Sequence, residues 1–223
     1  MDVNETTEGE IVESGSNPMV RFFQDLVAKV TQDGVGPLDG SIAYAEERLS
    51  KSRELSREQV IDRLIREAVQ ASSANGFITG LGGFMTMPIT LPANVAGALV
   101  INARLVGAIA HVRGYNIADP HVQTIITLAT VGGTLASALH GAGVKIGAKL
   151  TAQVIAAIPI AVIRRINARV GFMLLAKYGT QRSVITLAKG IPIAGGIVGA
   201  GVDAGLTALV GRAAKANFPA HAY

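Results

Sequence analysis

Four histidines, His111, His121, His140 and His221, are the first places to look for chemistry. None pairs with another at the i, i+4 or H-E-x-x-H spacing that puts two imidazoles on one helix face around a metal. There is no cysteine, which removes a thiol nucleophile, a thiolate zinc site and a Cys-ligated iron–sulfur cluster. Gly80-Leu81-Gly82-Gly83 is glycine-rich, but neither a Lys nor a Ser/Thr follows at the spacing of a phosphate-binding loop, and G-x-S-x-G is absent. General acid–base work needs a positioned partner for each acid. The acids cluster in amphipathic N-terminal helices, where a solvated face explains them, and only Asp119 and Asp203 lie beyond residue 118. Asp119 precedes Pro120 and reads as a helix cap. Asp203 sits between the apolar runs 191–202 and 204–211. An unpaired carboxylate there is costly, so we expect it to cap, to pair with a base or to line a polar pocket, with Arg104 the base named for that role. No cofactor and no metal is expected, and the reading leans towards a protein that is not an enzyme.

The elements that would position these residues are helical. The 223 residues are 49% hydrophobic and 16% charged, with a mean hydropathy of +0.40, which rules out disorder of the whole chain. Aromatics are only 4% and Trp is absent, while glycines number 26. Small residues suit closely packed helices, in water or in lipid. No run alternates with period two, so no sheet is expected. The fold class is therefore all-α: a compact, glycine-rich multi-helix bundle with proline-broken apolar helices.

Punctuation sets the boundaries. Asn17-Pro18 opens a helix that runs to about Asp33-Gly34, and another spans about Ser41–Lys51. Ser56 and Gln59 form a capping box for a helix that ends near Asn75-Gly76. Residues 71–103 carry no charge, a length that suffices for a bilayer, but Pro88 and Pro92 cut the run. We expect a short helical piece near 77–84, a turn at Met87-Pro88 and a helix from Pro92 to Arg113, forming a core. Asp119-Pro120 opens a helix to about Leu139. A further helical region covers about Lys145–Tyr178, kinked at Pro159, and the last helix covers about Ile193–Asn217. G-x-x-x-G pairs at Gly76/Gly80, Gly143/Gly147, Gly195/Gly199 and Gly201/Gly205 are expected to mark close helix contacts.

Charge is divided unevenly. Residues 1–118 hold 14 acids and 10 bases, whereas 119–223 hold 2 acids and 10 bases. The first twenty residues carry five acids and no base, unlike a signal peptide. Residues 1–16 read as a disordered acidic tail and 17–223 as one helical domain. Lys145 and Lys149 share a helix face, as do Arg165 and Arg169. With Arg164 they form a candidate basic surface towards anionic lipid; a solvated helix face is the plainer account of the same residues. The bases are scattered without interleaved aromatics, so nucleic acid is not expected as a partner.

Two stretches carry a resemblance. Residues 76–92, Gly-Phe-Ile-Thr-Gly-Leu-Gly-Gly-Phe-Met-Thr-Met-Pro-Ile-Thr-Leu-Pro, resemble the signature of the bacterial EcsC family, and Ile109-Ala110 with Gly114-Tyr115 resembles its downstream segment. The glycine-rich block from Ile191 to Asp203, continuing to Gly211, Ala214 and Phe218, is similar to the family's C-terminal block. The likeness spans roughly residues 34–218. It implies an all-helical domain associated with membranes or with membrane machinery, such as an accessory to an ABC transporter, and implies no reaction.

Three functions compete at this stage. The first is a non-enzymatic, membrane-associated protein in the cytoplasm, peripheral at the inner face of the membrane, with a membrane surface or membrane protein complex as partner and self-association into a homo-oligomer as a further state. The second is a protein that inserts into or permeabilises membranes. The third is a soluble binder or enzyme whose site lies at the loop of Gly76, Thr79, Gly80, Gly82, Gly83, Pro88 and Pro92, where small residues let a ligand reach backbone N–H groups, with Arg104 and Asp203 as its polar groups.

Overall fold

The computed structural model describes residues 18–73, 93–141, 143, 151–178 and 194–220. Within them the chain forms nine helices: α1 (Pro18–Gln32), α2 (Ser41–Lys51), α3 (Arg57–Ser73), α4 (Ala93–Val112), α5 (Pro120–Thr130), α6 (Leu135–Gly141), α7 (Ala152–Ala156), α8 (Ile160–Tyr178) and α9 (Ala194–Asn217). No strand occurs among the described residues, only one isolated bridge between Val35 and Leu38. The fold is all-α, as expected.

Local chemistry explains the helix starts. Ser56 N donates to Gln59 Oε1 at 2.8 Å, and Gln59 N donates to Ser56 Oγ at 3.3 Å, so the capping box that opens α3 closes both ways. Asp119 accepts from the amides of His121 and Val122 with Pro120 behind it, satisfying two of the donors that a helix start leaves open. Gly114, at φ +80°, ends the α4 segment in the left-handed conformation that costs glycine least.

Two expected helices are shorter than the sequence suggests. The helix from Pro120 to about Leu139 is instead two, α5 and α6, meeting at about 100°. The break falls at Gly132, whose φ is +85°, and Asn217 braces it from α9: Leu135 N donates to Asn217 Oδ1 at 2.6 Å, and Asn217 Nδ2 donates to the Gly133 carbonyl at 2.9 Å. A contact 82 residues away in sequence thus overrides a locally continuous apolar pattern. The region 145–178 likewise divides into α7 and α8. Thr151 caps α7 by accepting from Val154 N, and Pro159 stands between the two helices, its carbonyl accepting from Val162 and Ile163. Pro159 therefore starts a helix rather than kinking one.

The core surrounds α4, which packs against α1, α2, α3, α5 and α9. From Leu99 to Ala110 its apolar residues are buried on nearly every side, which is the burial expected of a central helix. Among the described residues no single helix is long and apolar enough to cross a membrane; the bent pair α5–α6 passes by length and composition, but its residues from Val122 to Thr130 are largely core. Of the glycines in the expected pairs, only Gly143 and Gly205 have described surroundings, and neither marks a close helix contact. Gly205 faces open space and Gly143 lies in a turn. Instead a Cβ at Gly211 would come within 2.9 Å of Ile65 on α3, and one at Gly107 would collide with Ser41 on α2. The short helical piece near 77–84, the turn at Met87-Pro88 and the tail 1–16 lie outside the described residues.

Candidate functional site

α8 has a buried apolar side and an exposed basic side. Ile163, Ile166 and Val170 are buried, against α1 and α5. Gln24 of α1 donates to the Asn167 carbonyl at 3.3 Å and fixes the register of the two helices. Residues 161, 164, 165, 168 and 169 recur at helical spacing on the opposite side, and Arg164, Arg165 and Arg169 are exposed. Ile160, 52% exposed, stands at the head of this helix. The Arg169 guanidinium lies over Gly141 of α6, occupying the space a side chain there would need. Lys145 and Lys149 lie outside the described residues.

Arg104 belongs to a different neighbourhood. Its Nε donates to the Asp39 carbonyl at 2.9 Å, and its guanidinium stacks over the Tyr44 ring at 3.9 Å from the centroid. Its own carbonyl accepts from Ser41 Oγ at 3.0 Å. Burial holds its pKa below the usual arginine value. Tyr44 in turn donates to Glu67 Oε2 at 3.1 Å, and Glu67 also accepts from Arg48 at 2.8 Å and Arg63 at 3.0 Å. Burial, then the Glu67 charge, pushes the Tyr44 phenol up to about 12. Burial would raise the Glu67 carboxyl, yet its bonds to Arg48 and Arg63 outweigh that and leave it lowered. The described contacts of Arg104 run towards α2 and the loop before it. Asp203 lies on α9 and its side chain is outside the described residues. Of the candidate loop, Gly76, Thr79, Gly80, Gly82, Gly83, Pro88 and Pro92 all lie outside as well.

Sequence reasoning missed the cluster at the end of α9. Arg113, 7% exposed, donates through Nη1 to the carbonyls of Lys215, at 2.8 Å, and Phe218, and through Nε and Nη2 to Glu58 Oε1 at 3.1 and 2.7 Å. A cation on the last carbonyls of a helix satisfies orphan acceptors and opposes the negative end of its dipole. Tyr115 packs edge-on against Phe218, centroids 5.0 Å apart, and its hydroxyl donates to the Pro219 carbonyl at 3.1 Å. Lys215 reaches Asp62 at 2.9 Å, and that bond, against the drag of burial, raises its pKa. The available signal was a lone arginine beside Gly114-Tyr115 at the end of an apolar helix.

Two of the histidines have partners within the fold. His121 lies 3.0 Å from the Ile158 carbonyl and His111 lies 2.6 Å from Glu46. No group of three His, Cys, Asp or Glu that could hold a metal occurs among the described residues. Asn102 Oδ1, buried on α4, has no hydrogen-bond partner among the described residues. On α9, Gly205, Leu206 and Leu209 form an exposed apolar strip, the leucines 40% and 49% exposed, with Arg212 beyond it.

Comparison with known proteins gives one match. The model of the EcsC protein family matches residues 46–219, most of the chain. No curated protein and no solved structure matches.

Proposed function

The chain belongs to the EcsC protein family, and on that footing we propose that it is a non-enzymatic protein of the cytoplasm that associates peripherally with the inner, anionic face of a membrane, as an accessory to membrane machinery such as an ABC transporter. The observation that carries this reading is the outward face of α8, where Arg164, Arg165 and Arg169 are exposed beside Ile160. Each base near an anionic leaflet contributes about 1 kcal/mol at moderate salt. Three bases and an apolar side chain support reversible rather than permanent attachment. The transporter context is what the family likeness implies.

Flotation with vesicles tests the reading. The full chain is expected to float with vesicles containing an acidic phospholipid at low salt, to be released as salt rises, and to stay unbound with purely zwitterionic vesicles. Failure to float with acidic vesicles at low salt defeats it. The exposed strip Gly205, Leu206 and Leu209 favours a second reading, insertion into or permeabilisation of a bilayer; release of an entrapped dye supports that reading, and intact vesicles across lipid compositions count against it.

A further inference from the structure

α6 is a short arm folded back beside the basic side of α8. The chain leaves α5 through Val131–Thr134, which are half-buried, and turns by about 100°. Gly132 makes that turn at φ +85°, with open space where a side chain would stand. Of the seven residues of α6 only Leu135 and Leu139 are buried. They are four apart and so share one face. Ala136, Ser137, His140 and Gly141 are exposed. The arm is held at both ends. Asn217 binds its start through Leu135 N and the Gly133 carbonyl, and the exposed Arg169 lies over Gly141 at its finish. Residues 120–144 carry no Asp, Glu, Lys or Arg, so α6 can enter an apolar medium without burying a fixed charge. α5 differs: its residues from Val122 to Thr130 are largely core, packed among α1, α4, α8 and α9.

We propose that α6 is a retractable apolar anchor for an anionic bilayer: it swings out about Gly132 while α5 stays in place, and lays Leu135 and Leu139 into the acyl boundary. The anchor rests on the membrane reading above and supplies an apolar contact that the bases of α8 lack. Arg169 couples the two parts, because a guanidinium that moves to lipid phosphate leaves Gly141. Lipid tails are as apolar as leucine, so the two side chains exchange one apolar surrounding for another. A helix face of this kind sinks about 5–10 Å below the headgroups, which suits attachment to one leaflet.

Photocrosslinking from inside the bilayer tests this on the full, unsubstituted chain. The vesicles contain an acidic phospholipid with a diazirine at the end of one acyl chain. Flotation at low salt is read first, and after illumination the adducts are mapped residue by residue. Adducts are expected on Leu135 and Leu139. Flotation with adducts on Ala136 and Ser137 but not on the two leucines, or with none on α6, overturns the anchor and leaves the membrane reading standing. Failure to float with acidic vesicles overturns both. Gly132→Ala tests the hinge. Alanine disfavours the left-handed corner and favours a helix that runs on, so adducts on the two leucines are expected to rise at least about fivefold. An unchanged or lower yield from a folded variant overturns the hinge at Gly132. Should that variant fail to fold, the map on the native chain decides alone.

Discussion

Arg113 and Arg164 are the same residue type put to opposite use. Arg113 ends the most buried helix, and its donors go to Glu58, Lys215 and Phe218. Arg164 rides on the outer face of α8 with Arg165 and Arg169 nearby. The family-like residues lie with the first arginine: Ile109 and Ala110 are in the core, Gly114 turns the chain, and Tyr115 stacks on Phe218. Those motif positions are therefore accounted for by architecture. The face proposed to meet lipid lies elsewhere, among the exposed bases of α8.

Substitution separates the two regions. Arg113→Ala strands carbonyls at the end of α9 and leaves Glu58 with the Lys215 contact at 3.3 Å in place of its arginine, and is expected to cost about 3 kcal/mol in urea unfolding; a loss below about 1 kcal/mol would show that the cluster is not a lock. Gly107→Ala forces a methyl onto Ser41 and is expected to cost about 2 kcal/mol with vesicle binding unchanged. Asn102→Leu removes a buried acceptor without a partner and is expected to stabilise the fold by about 1 kcal/mol; destabilisation would show that this oxygen has a role in the native state. Arg164→Gln/Arg165→Gln/Arg169→Gln is expected to change stability by less than about 0.5 kcal/mol while removing attachment to acidic vesicles.

A titration probes the region between these extremes. Tyr44 is raised by burial and by Glu67 to about 12, above an ordinary phenol near 10. A raised folded-state pKa means that the unfolded chain releases this proton first. The stabilisation is therefore complete below about pH 10 and is lost as pH rises towards 12. Absorbance at the phenolate band is expected to show one tyrosine ionising late, and Tyr44→Phe is expected to flatten that part of the stability profile.

Much of the fold was legible in local chemistry. Ser41–Lys51, the Ser56 box, the Asp119 cap and the end at Gly114 follow from short-range rules, because caps and turns are settled by residues three or four apart. The division of 120–139 was not legible, because Asn217 braces it from the far end of the chain. Glycine spacing misled where it was described: G-x-x-x-G singled out Gly205, which faces open space, and passed over Gly107 and Gly211, which touch neighbouring helices. Spacing along one helix says nothing of where its partner lies. Of the candidate site, the i, i+4 spacing of Arg165 and Arg169 is visible in the sequence, and both are exposed on α8 with Arg164 beside them. Arg104 was picked out as a polar group for a pocket with Asp203, but its neighbours, Tyr44 and the Asp39 carbonyl, are set by tertiary packing that no local pattern encodes.

The bracing residues near the end of α9 bear on how the chain is made. Asn217, Phe218 and Pro219 hold Leu135, Gly133, Arg113 and Tyr115. On a ribosome these residues emerge after every group they hold. Until then the α4 face that α9 covers and the corner between α5 and α6 lack their partners. Nascent chains expose such apolar surface to aggregation and to chaperones. The α5–α6 corner and the end of α4 therefore cannot close until residue 219 clears the exit tunnel, and a product cut short before that point lacks the residues that hold them.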